Sequence, residues 1–382
     1  WRLHRPSAAA NLCDVEIFWH MPSEITMELI VSAHRKHVLY LTRFHRLPGL
    51  FLYDVAMHKN MTLENSVISE YPMYTVKRQP TSEFIPIRKL NYHVLVWGDQ
   101  SSKLPPLVLM HGWMDVAASY QFVVDALSEA FFANRLIIAA DWRGYGKTTG
   151  AAVDNYWFPD YLADLDALLD HYAGDQPVDL VGHSMGGNVV MMYAGARPAR
   201  IRSLINLEGF GMPVSTPDQA PARYAKWMDE LKKLQRGELD LTAYDKADGV
   251  ARRLMKTNPR LARDDAGKAK ANWLARHWAA ENAAGKWEIL GDAAHKIINA
   301  NLTNVAEALE LYKAITAPVL VVEASDDSLS GWWNGKYTLA EFHERLKSVP
   351  NCTVKVVQDA GHMMHHDKPE ELARMIEGFV SS

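Results

Sequence analysis

Residues 178–194 read VDLVGHSMGGNVVMMYA. The run at 178–181 is short and mostly apolar, which is typical of a strand buried on both faces, and the apolar residues from 189 onward suit a helix. Between them lies a Gly-x-Ser-x-Gly motif centred on Ser184. Glycines at these positions permit a sharp strand-to-helix turn that exposes a serine hydroxyl, so the motif predicts a nucleophile at Ser184.

The same pattern of short apolar runs recurs along the chain on both sides of this motif. The runs are at 107–110, 136–139, 201–207, 319–322 and 354–357. Helix-like spacing of apolar residues separates them, as at 161–172 and 372–380. This alternation predicts an α/β fold with a doubly wound, mostly parallel sheet, and two β-rich runs within 84–97 predict a hairpin before it.

Four regions follow from where this alternation begins, lapses and resumes. The apolar residues of 1–72 recur with neither a helical nor a strand period, which predicts a poorly ordered N-terminal extension. The α/β core is expected at 73–210 and again at 317–382. Between these two parts, residues 211–316 are rich in Ala, Lys, Arg and Leu without a convincing strand run, which predicts a helical cap.

Composition narrows the classes of function and location. A formal charge of -4 and a pI near 6.5 give no global positive field, which argues against nucleic acid as a partner and favours a small molecule. The two cysteines, Cys13 and Cys352, predict neither a structural disulfide nor a zinc site. The sequence has no apolar run long enough to span a membrane and no recognisable signal peptide, so the expected location is cytoplasmic.

A serine nucleophile needs a general base, and three histidines near the C-terminus compete for that role. His362 follows the strand run at 354–357 and lies on a loop at the carboxyl edge of the predicted sheet. His365 and His366 come later, close to the helix that Pro369 opens. Parallel sheets place their chemistry on loops at the carboxyl ends of strands, so we predict His362 as the base.

The carboxylate that orients this histidine has three candidates. Asp326 and Asp327 follow the strand run at 319–322, and Glu208 follows the run at 201–207. Asp327 is the preferred candidate, with Asp326 as its neighbouring alternative. The commonest role of a surface Asp is a turn or a helix cap, and that role is favoured for Asp326.

An oxyanion hole requires two backbone N–H groups directed at the reacting carbonyl oxygen. We predict that one of them is the N–H of Met185, which directly follows the nucleophile. We predict that the other is the N–H of Trp113, in the loop after the run at 107–110. His111 precedes it and is expected to be a hydrogen-bonded structural residue.

In this order, the motifs resemble those of the α/β-hydrolase superfamily across residues 73–381. The landmarks are the His-Gly loop at 111–113, the sequence DWRGYG at 141–146, the turn at 182–186, Asp327, Gly361-His362 and Pro369-Glu370. The resemblance implies an α/β-hydrolase fold with an inserted helical cap and a triad of Ser184, Asp327 and His362. Serine at position 184 excludes relatives of the haloalkane dehalogenase and epoxide hydrolase types, which need Asp there.

The resemblance implies a serine hydrolase of the carboxylesterase type that cleaves carboxylic esters of small, apolar substrates, with no metal or organic cofactor. The same triad also serves carbon–carbon bond hydrolases, lactonases, aminopeptidases and acyltransferases, and some relatives are ligand receptors. The pocket is expected between sheet and cap, and most of the nearby tryptophans are expected to be core anchors. These tryptophans are Trp227, Trp273, Trp278, Trp287, Trp332 and Trp333.

Overall fold

The computed structural model describes residues 13–20, 25–34, 37–46 and 69–381, the first three ranges by their backbone. The chain divides into two compact units with the boundary between Ser69 and Glu70. In the first unit, strands β1 (Cys13–His20), β2 (Ile25–His34) and β3 (His37–Arg46) form an antiparallel sheet in the order β1-β2-β3. The sequence pattern predicted no strands here. The rest of the predicted extension at 1–68 lies outside the described residues.

The second unit begins with the first part of the predicted core. Its strands are β4 (Thr81–Ile87), β5 (Leu90–Gly98), β6 (Leu107–Met110), β7 (Leu136–Ala140), β8 (Val178–His183) and β9 (Ile201–Leu207). Its helices are α1 (Gln121–Ala126), α2 (Glu129–Ala133), α3 (Phe158–Ala173) and α4 (Met185–Ala196). Every apolar run predicted as a strand in this part of the chain forms one.

The region predicted as a helical cap is mostly helical but also contains a small sheet. The helices are α5 (Ala220–Gln235), α6 (Ala247–Thr257), α7 (Asp265–Trp278) and α8 (Val305–Ala314). Strands β10 (Ala243–Tyr244), β11 (Ala279–Glu281) and β12 (Trp287–Ile289) pair antiparallel in the order β10-β12-β11. Strands of two or three residues are too short to give a recognisable alternation, which is why the sequence did not predict them.

The chain then returns to the core. Its elements are β13 (Val319–Ala324), α9 (Ser328–Trp333), α10 (Leu339–Leu346), β14 (Cys352–Val357), α11 (Met364–Asp367) and α12 (Pro369–Val380). The large sheet has eight strands in the order β14-β13-β9-β8-β6-β7-β5-β4. Strands β14 to β7 in this order pair parallel, whereas β5 pairs antiparallel with both β7 and β4. The predicted doubly wound, mostly parallel sheet with its hairpin is confirmed.

Apolar layers cover both faces of this sheet, and alternate residues of a strand enter opposite layers. Along β6, Val108 and Met110 pack in one layer, and Leu107 and Leu109 pack in the other. All four side chains are buried. The polar groups that remain available to a ligand therefore lie beyond the strand ends, where Ser184, Glu208 and the loop of His362 follow β8, β9 and β14.

The second unit begins three residues earlier than the sequence predicted. The side-chain amide of Asn272 donates to the carbonyl oxygens of Tyr71 and Pro72, both at 2.9 Å. The backbone N–H of Glu70 donates to Asp248 Oδ2 at 3.0 Å. These contacts tie residues 70–72 to cap helices α6 and α7. Within the described ranges, no helix is long and apolar enough to cross a membrane.

Candidate active site

Ser184 occupies the turn between β8 and α4 in a backbone conformation that residues other than glycine rarely adopt. Its φ is 53° and its ψ is -115°. A Cβ added at Gly182 would lie 2.4 Å from the carbonyl oxygen of Gly186, and one added at Gly186 would lie 2.4 Å from that of Met110. Because real atoms do not approach so closely, both glycines are sterically required. The predicted strand, sharp turn and helix around Ser184 are confirmed.

The carboxylate that contacts the His362 ring is that of Glu208. The prediction that Asp327 makes this contact is wrong. His362 Nδ1 lies 2.7 Å from Glu208 Oε2. The other carboxylate oxygen, Oε1, accepts from the backbone N–H of Ala324 at 2.9 Å. Glu208 is buried and itself has a φ of 53°. Both of its oxygens are thus fixed, and the carboxylate holds the imidazole through Nδ1, which leaves Nε2 for a substrate or nucleophile.

Asp326 and Asp327 have other partners. Asp327 is the N-cap of α9, where it accepts from the backbone N–H of Ser330 at 2.9 Å and from its hydroxyl at 2.5 Å. Asp326 accepts from Arg260 Nη1 at 2.7 Å. Capping is a common role for an Asp just before a helix, and the role expected for Asp326 is filled by Asp327. Asp326 instead forms an ion pair with the cap.

His183, inside the Gly-x-Ser-x-Gly motif, contacts the loop of the predicted base, which sequence reasoning missed. Its Nε2–H donates to the carbonyl oxygen of His362 at 2.8 Å. Burial lowers the pKa of His183 well below its usual value, with further lowering by His365 and His362, so the ring is neutral at pH 7. A single neutral donor therefore joins the turn that carries Ser184 to the backbone of His362.

We expect His183→Ala to lower kcat about fivefold with little change in KM, because a lost hydrogen bond to a positioned backbone is worth roughly 1 kcal/mol. His183→Asn retains a side-chain donor and should recover part of the rate. Steady-state kinetics with exposed His171→Gln as the control test this. Wild-type rates in both His183 variants would show that this contact does not position the base.

The loop after β6 lies against the turn that carries Ser184. A Cβ added at Gly112 would lie 3.0 Å from Ser184 Cβ. Trp113 follows directly and lines the same cavity as Ser184 and Met185. Met185 is the first residue of α4, so its N–H belongs to the unpaired N–H groups of a helix start. This arrangement supports the prediction that Trp113 and Met185 supply the oxyanion hole, which stays a prediction.

His111 has the structural role that the sequence predicted. Its Nε2 accepts from the backbone N–H of Trp142 at 2.9 Å, and its Nδ1 lies 2.8 Å from the carbonyl oxygen of Gly112. Burial lowers the pKa of His111, which keeps the ring neutral so that Nε2 can accept. The residue fixes the loop that precedes Trp113.

A cavity of about 810 Å³ opens at the side chains of Ser184 and His362. Its walls are largely apolar and come from the core and the cap alike. The wall includes these apolar side chains: Trp113, Phe158, Met185, Met192, Phe210, Trp332 and Trp333. The Trp332 ring meets the His362 ring edge-on, with centroids 4.3 Å apart. Trp273, Trp278 and Trp287 instead pack against the apolar cluster of the cap, as expected for anchors.

Comparison with known proteins agrees with this fold. The sequence profile described as alpha/beta hydrolase fold matches residues 105–369, more than half of the chain. A serine hydrolase-like protein of Danio rerio is 24% identical over 316 residues, which cover 80% of this chain and 90% of that protein. The sn-1-specific diacylglycerol lipase ABHD11 of Xenopus laevis is 24% identical over 282 residues, which cover 73% of this chain and 80% of that protein.

Solved structures of distant sequence share the architecture. The thioesterase domain from the curacin biosynthetic pathway aligns with a TM-score of 0.63 at 21% identity, covering 78% of this chain and 99% of that domain. At this level of identity the likeness shows the fold alone.

Proposed function

Because the chain belongs to the alpha/beta hydrolase family, we propose that it hydrolyses carboxylic esters of small apolar acids through an acyl-enzyme on Ser184. The observation that carries the proposal is the 2.7 Å contact between His362 Nδ1 and Glu208 at a cavity that Ser184 also lines. An imidazole fixed through Nδ1 presents Nε2 as a base, which is the arrangement that activates a serine.

In the proposed mechanism, Ser184 Oγ attacks the ester carbonyl while His362 Nε2 takes the hydroxyl proton. Glu208 stabilises the resulting imidazolium, and the N–H groups of Trp113 and Met185 stabilise the oxyanion. His362 then gives its proton to the departing alcohol. Water, deprotonated by the same imidazole, attacks the acyl-enzyme and releases the acid and free Ser184.

The walls of the cavity support an apolar acyl group. Its volume of about 810 Å³ lies within the usual range for small-molecule sites. Contact of an acyl chain with its tryptophan, phenylalanine and methionine side chains favours binding, because it removes hydrocarbon from water. Burial of each additional methylene favours binding by about 0.8 kcal/mol. Catalytic efficiency should therefore rise with acyl length until the cavity is filled.

We expect nitrophenyl esters to be hydrolysed with a kcat/KM that increases from acetate to a medium-chain acyl group. Met192→Trp, which adds volume to the wall, should lower kcat/KM for the longer esters about tenfold or more and leave acetate nearly unchanged. Exposed Met228→Trp on α5 is the matched control. The measurement is an initial-rate series across acyl lengths.

Two results would count against the ester proposal. Equal loss for acetate and long esters in Met192→Trp would place the acyl group elsewhere. Absence of turnover with every ester, combined with saturable ligand binding, would favour a receptor over an enzyme.

A further inference from the structure

A buried group of metal-ligating side chains lies behind the proposed catalytic histidine. Asp115 comes from the loop after β6, and His365 and His366 are neighbours on α11. All three side chains are almost fully buried. One ligand atom from each can be chosen so that all three lie within 4.8 Å of one another. The proposed hydrolysis uses none of them.

Five polar atoms in this group have no hydrogen-bond partner among the described residues: Asp115 Oδ2 and both ring nitrogens of His365 and of His366. Buried polar groups are nearly always paired, and each unpaired one costs about 1–3 kcal/mol. Asp115 Oδ1, in contrast, accepts from Val116 N–H at 2.9 Å and from Trp278 Nε1–H at 2.8 Å. The carboxylate is thus held by one oxygen while the other faces His365 Nε2 at 3.5 Å.

A second cavity, with a volume of about 210 Å³, is lined in part by His366. Its wall carries three carboxylates, those of Asp264, Asp359 and Asp367, and four basic side chains, those of Arg260, Arg263, Lys270 and Lys368. The buried group therefore lies next to a polar cavity of mixed charge.

We propose that Asp115, His365 and His366 bind one divalent first-row transition ion, for which Zn²⁺ is the probe. Two imidazoles and one carboxylate are a donor set for such ions, whereas Mg²⁺ and Ca²⁺ favour all-oxygen sites. Ligand atoms at about 2.1 Å from an ion in tetrahedral geometry lie about 3.4 Å apart, so a pair at the 4.8 Å limit of this group has to approach by about 1.4 Å when the ion binds. The sequence prediction of no metal site did not consider this set, because Asp115 lies some 250 positions before the histidines.

An ion at this position would brace the segment that carries His362. His365 follows His362 by three residues, and its ring lies 4.4 Å, centroid to centroid, from that of His183. His183 in turn donates to the backbone of His362. The proposed role is structural and does not depend on the proposed ester hydrolysis.

The test is Zn²⁺ binding to the full chain after treatment with a chelator. The expected result is one tightly bound Zn²⁺ per chain that Asp115→Asn and His366→Gln each weaken about tenfold or more, while Mg²⁺ does not compete. Asp115→Asn keeps an acceptor for Val116 and Trp278, so this variant should fold. Binding is measured by calorimetry and by metal content after dialysis. Exposed His171→Gln is the control for the loss of a histidine outside the group. Such a control is needed because histidines elsewhere, including six before residue 72, can also bind Zn²⁺.

X-ray absorption at the zinc edge provides a second readout and should show nitrogen and oxygen ligands from two imidazoles and a carboxylate. Zn²⁺ should also raise the midpoint of thermal unfolding in wild type and in His171→Gln, and raise it clearly less in Asp115→Asn. Absence of tight binding by wild type would overturn the proposal and leave water as the partner of these atoms. Equal binding by wild type and Asp115→Asn would overturn it too.

Discussion

Ser184→Ala is expected to abolish ester turnover, with a loss in kcat of about a millionfold, because the proposed acyl-enzyme forms on the Ser184 hydroxyl. The fold should be unchanged. Alanine keeps the Cβ that already fits the φ of 53° at this turn, and the glycines that flank it remain. The measurement is steady-state turnover of a nitrophenyl ester, with folding checked by circular dichroism. Exposed Ser101→Ala is the matched control and should match wild type.

A different nucleophile would reveal itself in the same experiment. Turnover by purified, folded Ser184→Ala within a hundredfold of wild type would contradict the proposed acyl-enzyme. Equal loss in Ser101→Ala would point to a general effect on the protein.

Glu208→Gln is expected to lower kcat about ten-thousandfold, or roughly 5 kcal/mol in activation free energy. The amide removes the negative charge that stabilises the imidazolium and favours the wrong tautomer of His362. Asp327→Asn should stay within about threefold of wild type, since Asp327 caps α9 and Asn is also a good N-cap. The two isosteric variants are compared at saturating substrate.

The comparison separates Glu208, which contacts His362 in the structure, from Asp327, which the sequence favoured as the triad carboxylate. A large loss of kcat in Asp327→Asn, together with a nearly wild-type kcat in Glu208→Gln, would mean that the loop after β13 supplies the carboxylate during turnover. Asp326→Asn serves as a further control, because its carboxylate pairs with Arg260.

The sequence predicted the elements of the second unit well because their signals are local. Short apolar runs identified the strands, and the glycines around Ser184 identified the turn. The position of His362 followed from the rule that loops at the carboxyl ends of parallel strands carry the chemistry. Each of these inferences needs only neighbouring residues.

The acid could not be chosen from local signals, because three carboxylates follow two neighbouring strands. The choice depends on which side chain reaches His362, and that depends on backbone conformation. Glu208 has a positive φ and an oxygen held by the N–H of Ala324 at the end of β13, which are features of three-dimensional packing. Asp327 also matched a helix-capping position, since Ser330 follows it by three residues.

The short cap strands and the role of His183 were missed for similar reasons. Strands β10 to β12 are too short for an alternation to be seen, and His183 occupies the variable position of the serine motif, to which the motif assigns no role. Its partner, the carbonyl of His362, lies 179 positions later in the chain.

The most direct test of the central claim is to locate the covalent adduct that a fluorophosphonate forms with the full chain. Such a probe reacts with a serine only when a base activates it. The account predicts one adduct per chain, on the peptide that contains Ser184, formed far more slowly in Glu208→Gln and not at all in Ser184→Ala. An adduct on another serine, or no adduct on the folded wild-type protein, would contradict it.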